Sequence, residues 1–149
     1  MNAITVEVSF CAGHRLCKDY RGKCNNLHGH NYKVNATIAG RLNQNGMVVD
    51  FGQLKRMLKA WIDTNWDHGF LFYKYDPVVE LLHNFLLPED IVQKCYFFDD
   101  NPTAEVMARY LHTEVLPEII RSLGGPQESV YVVGVSVEET PGCLALSRY

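Results

Sequence analysis

The chain has 149 residues, a net charge of -3 and a pI near 6.0, which suits one domain with its own core and gives no electrostatic reason to expect nucleic acid or an anionic membrane as partner. No apolar run approaches the ~18–20 residues that cross a bilayer, and the N-terminal residues alternate from the outset without a signal-peptide layout. Five cysteines with no CxxC spacing fit reduced thiols in a cytoplasm better than a disulfide framework.

Ile4, Val6, Val8, Phe10, Ala12 and His14 fall on one parity, which predicts a strand over residues 3–14. The loop from Arg15 to Leu27 carries Arg15, Lys18, Arg21 and Lys23 against only Asp19. It reads either as an ordinary solvated loop or as a cationic rim that attracts phosphate. Cys24 lies four residues before His28, and His30 follows two later, so on an extended chain both rings point to one side. A second alternating run, His30, Tyr32, Val34, Ala36 and Ile38, predicts a strand over residues 30–42. If the two strands are antiparallel neighbours, His14, His28 and His30 converge, and three imidazoles with a fourth position open suit a catalytic zinc better than a closed structural one. A histidine pair at this spacing also arises as packed or solvated side chains. The phase of His14 and the nearby Cys24 favour the metal reading.

Asn43 to Gly46 reads as a turn. Asp50 reads as the N-cap of a helix, with Gln53 as its capping-box partner and Leu54, Met57, Leu58, Trp61 and Ile62 along one face. Asp67 and His68 follow, either as a surface turn or as a carboxylate orienting an imidazole for proton transfer. Within residues 69–100, Asp76-Pro77 begins a short helix through Val78, Leu81, Leu82 and Phe85, and Lys94 to Phe98 is a short strand or merely extended. Asn101-Pro102 opens a second long helix, with Pro102 at its first position and Val106, Met107, Tyr110, Leu111 and Val115 on its apolar side. Pro117 should kink or break it, and Gly124-Gly125-Pro126 ends it. Ser129 to Glu139 reads as a strand with Tyr131, Val133, Val135 and Val137 on one face, and Leu144 to Tyr149 as the last strand. Glu139 continues the apolar parity, either as a polar strand end or as a carboxylate meeting several N–H donors. The order is ββααββ with an insert at about 70–98, an α+β domain spanning residues 1–149, with a four-stranded antiparallel sheet and two long helices on one face.

The blocks CNNLHGHNY, MVVDFGQLK, DH at 67–68, NPTAEVMARYL and VEET at 137–140 together resemble the 6-pyruvoyl-tetrahydropterin synthase / 6-carboxy-tetrahydropterin synthase (QueD) family. The resemblance spans nearly the whole chain in the family's order. It implies the tunnelling fold, assembled as a homo-hexamer of two trimers with sites between subunits. It implies Zn²⁺ held by His14, His28 and His30, Cys24 as thiolate base, and His68 oriented by Asp67 and contributed by a neighbouring subunit. Glu139 would anchor the pterin, assisted by Thr103. The implied substrate is a small molecule, 7,8-dihydroneopterin triphosphate. Three residues between Cys24 and the HGH resemble the QueD branch, which forms 6-carboxy-5,6,7,8-tetrahydropterin on the way to queuosine and other 7-deazapurines, whereas the local CNN resembles the pyruvoyl branch. A catalytically idle, zinc-stabilised pterin-binding module, and a structural zinc closed by Cys17 or Cys24, are the other readings. The insert departs from compact QueD proteins and is expected to bear on the lid and leave the metal site alone.

Overall fold

The computed structural model describes residues 1–85, 88, 91–123 and 129–149. Strands β1 (Asn2–His14) and β2 (His28–Gly40) pair antiparallel from Asn2↔Gly40 to His14↔His28. The histidine end of one strand therefore lies against the histidine end of the other. The even residues of both strands, among them Val8, Phe10, Tyr32 and Val34, form one buried face. Helices cover that face: α1 (Phe51–Asn65) contributes Leu54, Leu58 and Ile62, with Asp50 Oδ1 accepting the Gln53 N–H at 2.8 Å as its cap. The second long helix adds Met107, Leu111 and Leu116 to the same core.

Among the described residues the sheet has six strands in the order β4-β3-β1-β2-β5-β6, two more than the alternation reveals. The additional pair comes from the insert. β3 (Phe70–Tyr73) runs parallel to the end of β1, and β4 (Cys95–Phe98) runs parallel to β3 outside it, with the short helix α2 (Val78–Phe85) between them in sequence. β3 is a four-residue continuous apolar run, for which periodicity offers no signal. The sheet is thus mixed where four antiparallel strands were expected, and its helices still share one face.

The second helix begins two residues later than Pro102 suggests. Thr103 is the N-cap, its hydroxyl accepting the Val106 N–H, and Pro102 precedes it. Pro117 does not end this helix. The run α3 (Ala104–Tyr110), a π-helical turn (Leu111–Val115) and α4 (Leu116–Ser122) continues through it. Leu116 N–H bonds the Leu111 carbonyl five residues back, so the turn widens just ahead of the residue that has no N–H to give. The expected end at Gly124-Gly125-Pro126 lies outside the described residues.

β5 (Val130–Thr140) carries the one clear failure of parity. Thr37 pairs with Gly134 and Ile38 with Val132, which leaves Val133 as an extra residue in a bulge. Before the bulge the buried residue is Val132, and after it Val135 and Val137 are buried. Tyr131 and Val133 therefore face solvent, at 49% and 37% exposure, instead of joining Val135 and Val137. A second irregularity against β6 (Cys143–Arg148) falls between Glu138 and Thr140. It leaves Glu139 unopposed at the end of its strand.

Candidate metal centre

The aligned ends of β1 and β2 bring His14, His28 and His30 together, each offering a ring nitrogen within 4.8 Å of the others. The orientation of two rings is fixed from behind. His14 Nδ1 donates to the Pro102 carbonyl at 2.8 Å, and His28 Nδ1 donates to the Asn26 carbonyl at 2.6 Å. A carbonyl only accepts, so in the neutral form of either ring the proton sits on Nδ1 and Nε2 carries the lone pair. Those two Nε2 atoms face each other at 3.1 Å. Two acceptors at that distance repel unless a cation lies between them, and nitrogens bound to one tetrahedral ion stand about 3.3 Å apart. His30 Nε2 is buried with no hydrogen-bond partner among the described residues. The donor set and its outer hydrogen bonds thus fit a borderline divalent ion.

Burial disfavours the charged form of His14 and His30. It drives the pKa of His14 down from 6.5 to about 4, against the pull of the Pro102 carbonyl and with His28 and His30 adding to the depression. Burial lowers His30 too, partly offset by Glu139. The bulge at the end of β5 directs the Glu139 carboxylate to 3.4 Å from His14 Nε2 and 3.6 Å from His30 Nε2. Tyr32 stands edge-on beside His14 and His30, and its buried hydroxyl has no partner among the described residues. Burial raises the Tyr32 phenol well above its usual range, with Glu139 and Cys24 adding to the effect.

Cys24 sits on a single 3₁₀ turn (Lys23–Asn25) that returns toward β1 through a Leu16 N–H to Cys24 carbonyl bond of 2.8 Å. Its side chain acts, ahead of burial, to raise the pKa of the Tyr20 phenol. It is not among the donor atoms clustered at the three imidazoles. Cys17 is likewise not among those donor atoms; burial, with Asp76 adding to it, raises its thiol pKa. The basic loop is also less free than its composition implies. Arg15 Nε bonds the buried Asp76 carboxylate at 2.8 Å, and Lys18 Nζ bonds Asp100 at 2.6 Å. Among the described residues no carboxylate pairs with Arg21 or Lys23, so the cationic rim reduces to those two. Asp76, in the insert, has no sequence signal beyond its helix-capping position, where it accepts the Val78 N–H at 3.0 Å. The insert thus ties down the loop after His14, while His14 and His28 are oriented by Pro102 and Asn26, outside it. Asn101 fastens the same loop by accepting from the Cys17 and Lys18 backbone N–H groups.

Asp67 and His68 pair with each other and with Cys11. Asp67 Oδ2 accepts from His68 Nδ1 at 2.8 Å, while its Oδ1 accepts the Cys11 N–H at 3.0 Å. Burial acts to raise the Asp67 pKa, but the Cys11 N–H and His68 outweigh it and hold the group below the usual carboxylate range. His68 adopts a left-handed backbone, φ 57°, pinned by its N–H to the Cys11 carbonyl at 2.7 Å. The residue beside it is Cys11, which sequence reasoning passed over, although its odd number in β1 places it on the face opposite His14. Cys11, His28, His30, His68, Phe70 and Gln93 help to line an open hollow of about 620 Å³.

The family model described as 6-pyruvoyl tetrahydropterin synthase matches residues 3–148. A 6-carboxy-5,6,7,8-tetrahydropterin synthase from Rickettsia bellii is 35% identical over 141 residues, covering 94% of this chain and 95% of its own length. A probable 6-carboxy-5,6,7,8-tetrahydropterin synthase from Halobacterium salinarum is 35% identical over 142 residues, with 93% and 81% covered. Among solved structures, an uncharacterised protein from Wolinella succinogenes superposes with TM-score 0.81 at 27% identity, covering 99% of this chain and 97% of that one. A Plasmodium vivax 6-pyruvoyltetrahydropterin synthase does so with TM-score 0.74 at 25% identity and the same coverage.

Proposed function

Because this chain belongs to the 6-pyruvoyl tetrahydropterin synthase family, we propose that it is a zinc-dependent lyase acting on 7,8-dihydroneopterin triphosphate. The products would be 6-carboxy-5,6,7,8-tetrahydropterin, acetaldehyde and triphosphate, an early step toward queuosine in the cytoplasm. The observation that carries the metal-dependent reading is the pair of Nε2 lone pairs aimed at each other at 3.1 Å with both Nδ1 protons already committed to carbonyls. The relatives named as 6-carboxy-tetrahydropterin synthases and the three-residue spacing from Cys24 to the HGH support the carboxy-forming branch.

His14, His28 and His30 would hold the ion, whose Lewis acidity acidifies substrate hydroxyls and polarises a developing carbonyl. Cys24 takes a proton from the substrate side chain. Asp67 holds His68 in the tautomer and orientation that returns one. Glu139 accepts from the 2-amino-4-oxo edge of the pterin. Thr103 uses its hydroxyl oxygen as a helix cap, which leaves the O–H free to donate to the same ring. Arg21 and Lys23 meet the triphosphate. The pairing of His68 with Cys11 and Asp67, with Cys24 in neither cluster of donor atoms, supports sites completed by a second copy in a hexamer of two trimers. The apolar edge strand β6, with Leu144 and Leu146 more than half exposed, supports assembly through the sheet.

The presence of both Cys24 and His68 speaks against an idle binding module, which needs neither. Mass spectrometry of the products from 7,8-dihydroneopterin triphosphate tests the assignment. Acetaldehyde with a 6-carboxy pterin supports it, a 6-pyruvoyl product selects the other branch of the family, and no turnover by metal-loaded protein removes the enzyme reading.

A further inference from the structure

We propose that Cys11, Asp67 and His68 form a second metal site, separate from the three imidazoles, that takes a soft or borderline divalent cation such as zinc or cadmium. The three side chains offer one sulfur, one nitrogen and one carboxylate oxygen, all within 4.8 Å of one another. Cys11 Sγ lies 3.7 Å from His68 Nε2 and 3.9 Å from Asp67 Oδ1, and ligands of a tetrahedral ion with one sulfur stand about 3.4–3.6 Å apart. The sulfur is nearly equidistant from both ring nitrogens, 3.8 Å and 3.7 Å, so it rests against the face of the imidazole. Rotation about the terminal ring torsion, which is soft, turns a nitrogen toward a shared ion, and the 78% exposure of the His68 side chain leaves room for that rotation.

The backbone holds the site ready. The Cys11 N–H to Asp67 and His68 N–H to Cys11 carbonyl bonds lace the two segments together at 3.0 Å and 2.7 Å. The ion therefore orders a ring and closes no loop. The neighbouring hollow leaves its remaining positions open to water. On binding, the Cys11 S–H bond breaks, its proton goes to solvent and the thiolate bonds the metal, with no change of oxidation state. A soft cation is selected because only thiolate and imidazole are its preferred donors, whereas the three-imidazole centre contains no sulfur. Bound there, the ion occupies the His68 ring and stops it carrying protons, so excess metal inhibits. This consequence, unlike the site itself, rests on the reaction proposed above.

Protein already holding one equivalent of zinc is titrated with cadmium chloride. A second equivalent bound with sulfur-to-metal charge-transfer absorption, lost in Cys11→Ala while the first equivalent of zinc is retained, is the expected result. The retained zinc reports that the variant is folded. Binding of a single equivalent without a sulfur signal, or a sulfur signal that persists in Cys11→Ala, overturns the site. In the turnover assay, Cys11→Ala is expected to raise the inhibitory cadmium concentration by at least ~10–100-fold, the loss that even an outer partner of a metal ligand brings. Equal inhibition of wild type and variant overturns the capture of His68. The metal count and absorption decide the site even if the protein turns over no pterin.

Discussion

His14 serves a hydrogen bond and a lone pair at once, and its burial has a pH consequence. Its value of about 4 in the folded chain lies below the ordinary 6.5, so between those limits the unfolded chain binds more protons. The stability it contributes is complete above pH 6.5 and is lost as pH falls toward 4. In metal-free protein this loss reaches at most about 3 kcal/mol, with His30 acting in the same direction, and urea-unfolding midpoints across that window should fall with acidity. Cys24→Ala should retain bound metal by elemental analysis while turnover drops ~10²–10⁴-fold, and metal lost with the thiol would refute the division of labour between sulfur and imidazoles. Glu139→Ala should raise KM by about tenfold to a hundredfold with a smaller change in kcat, since it strips a charged acceptor from several N–H donors. An unchanged KM would count against the pterin anchor and leave the carboxylate as a neighbour of the metal alone.

At the level of elements, the first two strands and the first helix were legible because each buries one face and therefore repeats with a fixed period. Parity put the three histidines on one face, and the antiparallel pairing seats His14 opposite His28. What stayed hidden lacks a period. β3 is four apolar residues buried without alternation, and the bulge at Val133 reverses parity in mid-strand. That bulge accounts for the misplaced Tyr131 and Val133, and the irregularity at Glu139 repeats the device where it aims a carboxylate. The carbonyls of Pro102 and Asn26 that orient the imidazoles have no side-chain signature at all. Nor could the pairing of Arg15 with Asp76, sixty-one residues apart, be foreseen from a loop's charge count. Thr103 joins these elements: Thr103→Ala should cost about 1 kcal/mol through the lost cap and lower Tm, while Thr103→Ser restores it. If Thr103→Ala also weakens substrate binding and Thr103→Ser does not, its hydroxyl works on both sides.

For the whole molecule, the proposed division of the site between copies makes a specific demand. Cys24→Ala and His68→Ala proteins, each inactive, should regain about a quarter of wild-type turnover after dissociation and mixing, because random assortment in a symmetric assembly places both intact groups at that share of shared sites. Mixtures that stay inactive, with mixed assemblies verified by native mass spectrometry, would mean that each chain builds its site alone. The tethers between the insert and β1 carry a separate consequence for how the chain tolerates change in length. Asp76 grips Arg15 at one end, and the Pro102 carbonyl aims His14 at the other. Residues spliced in between Asp76 and the start of β4 leave the grip on the ion untouched. A single deletion in the four-residue span from the end of β4 to Pro102 would swing that carbonyl off the ring and detune the centre from a distance.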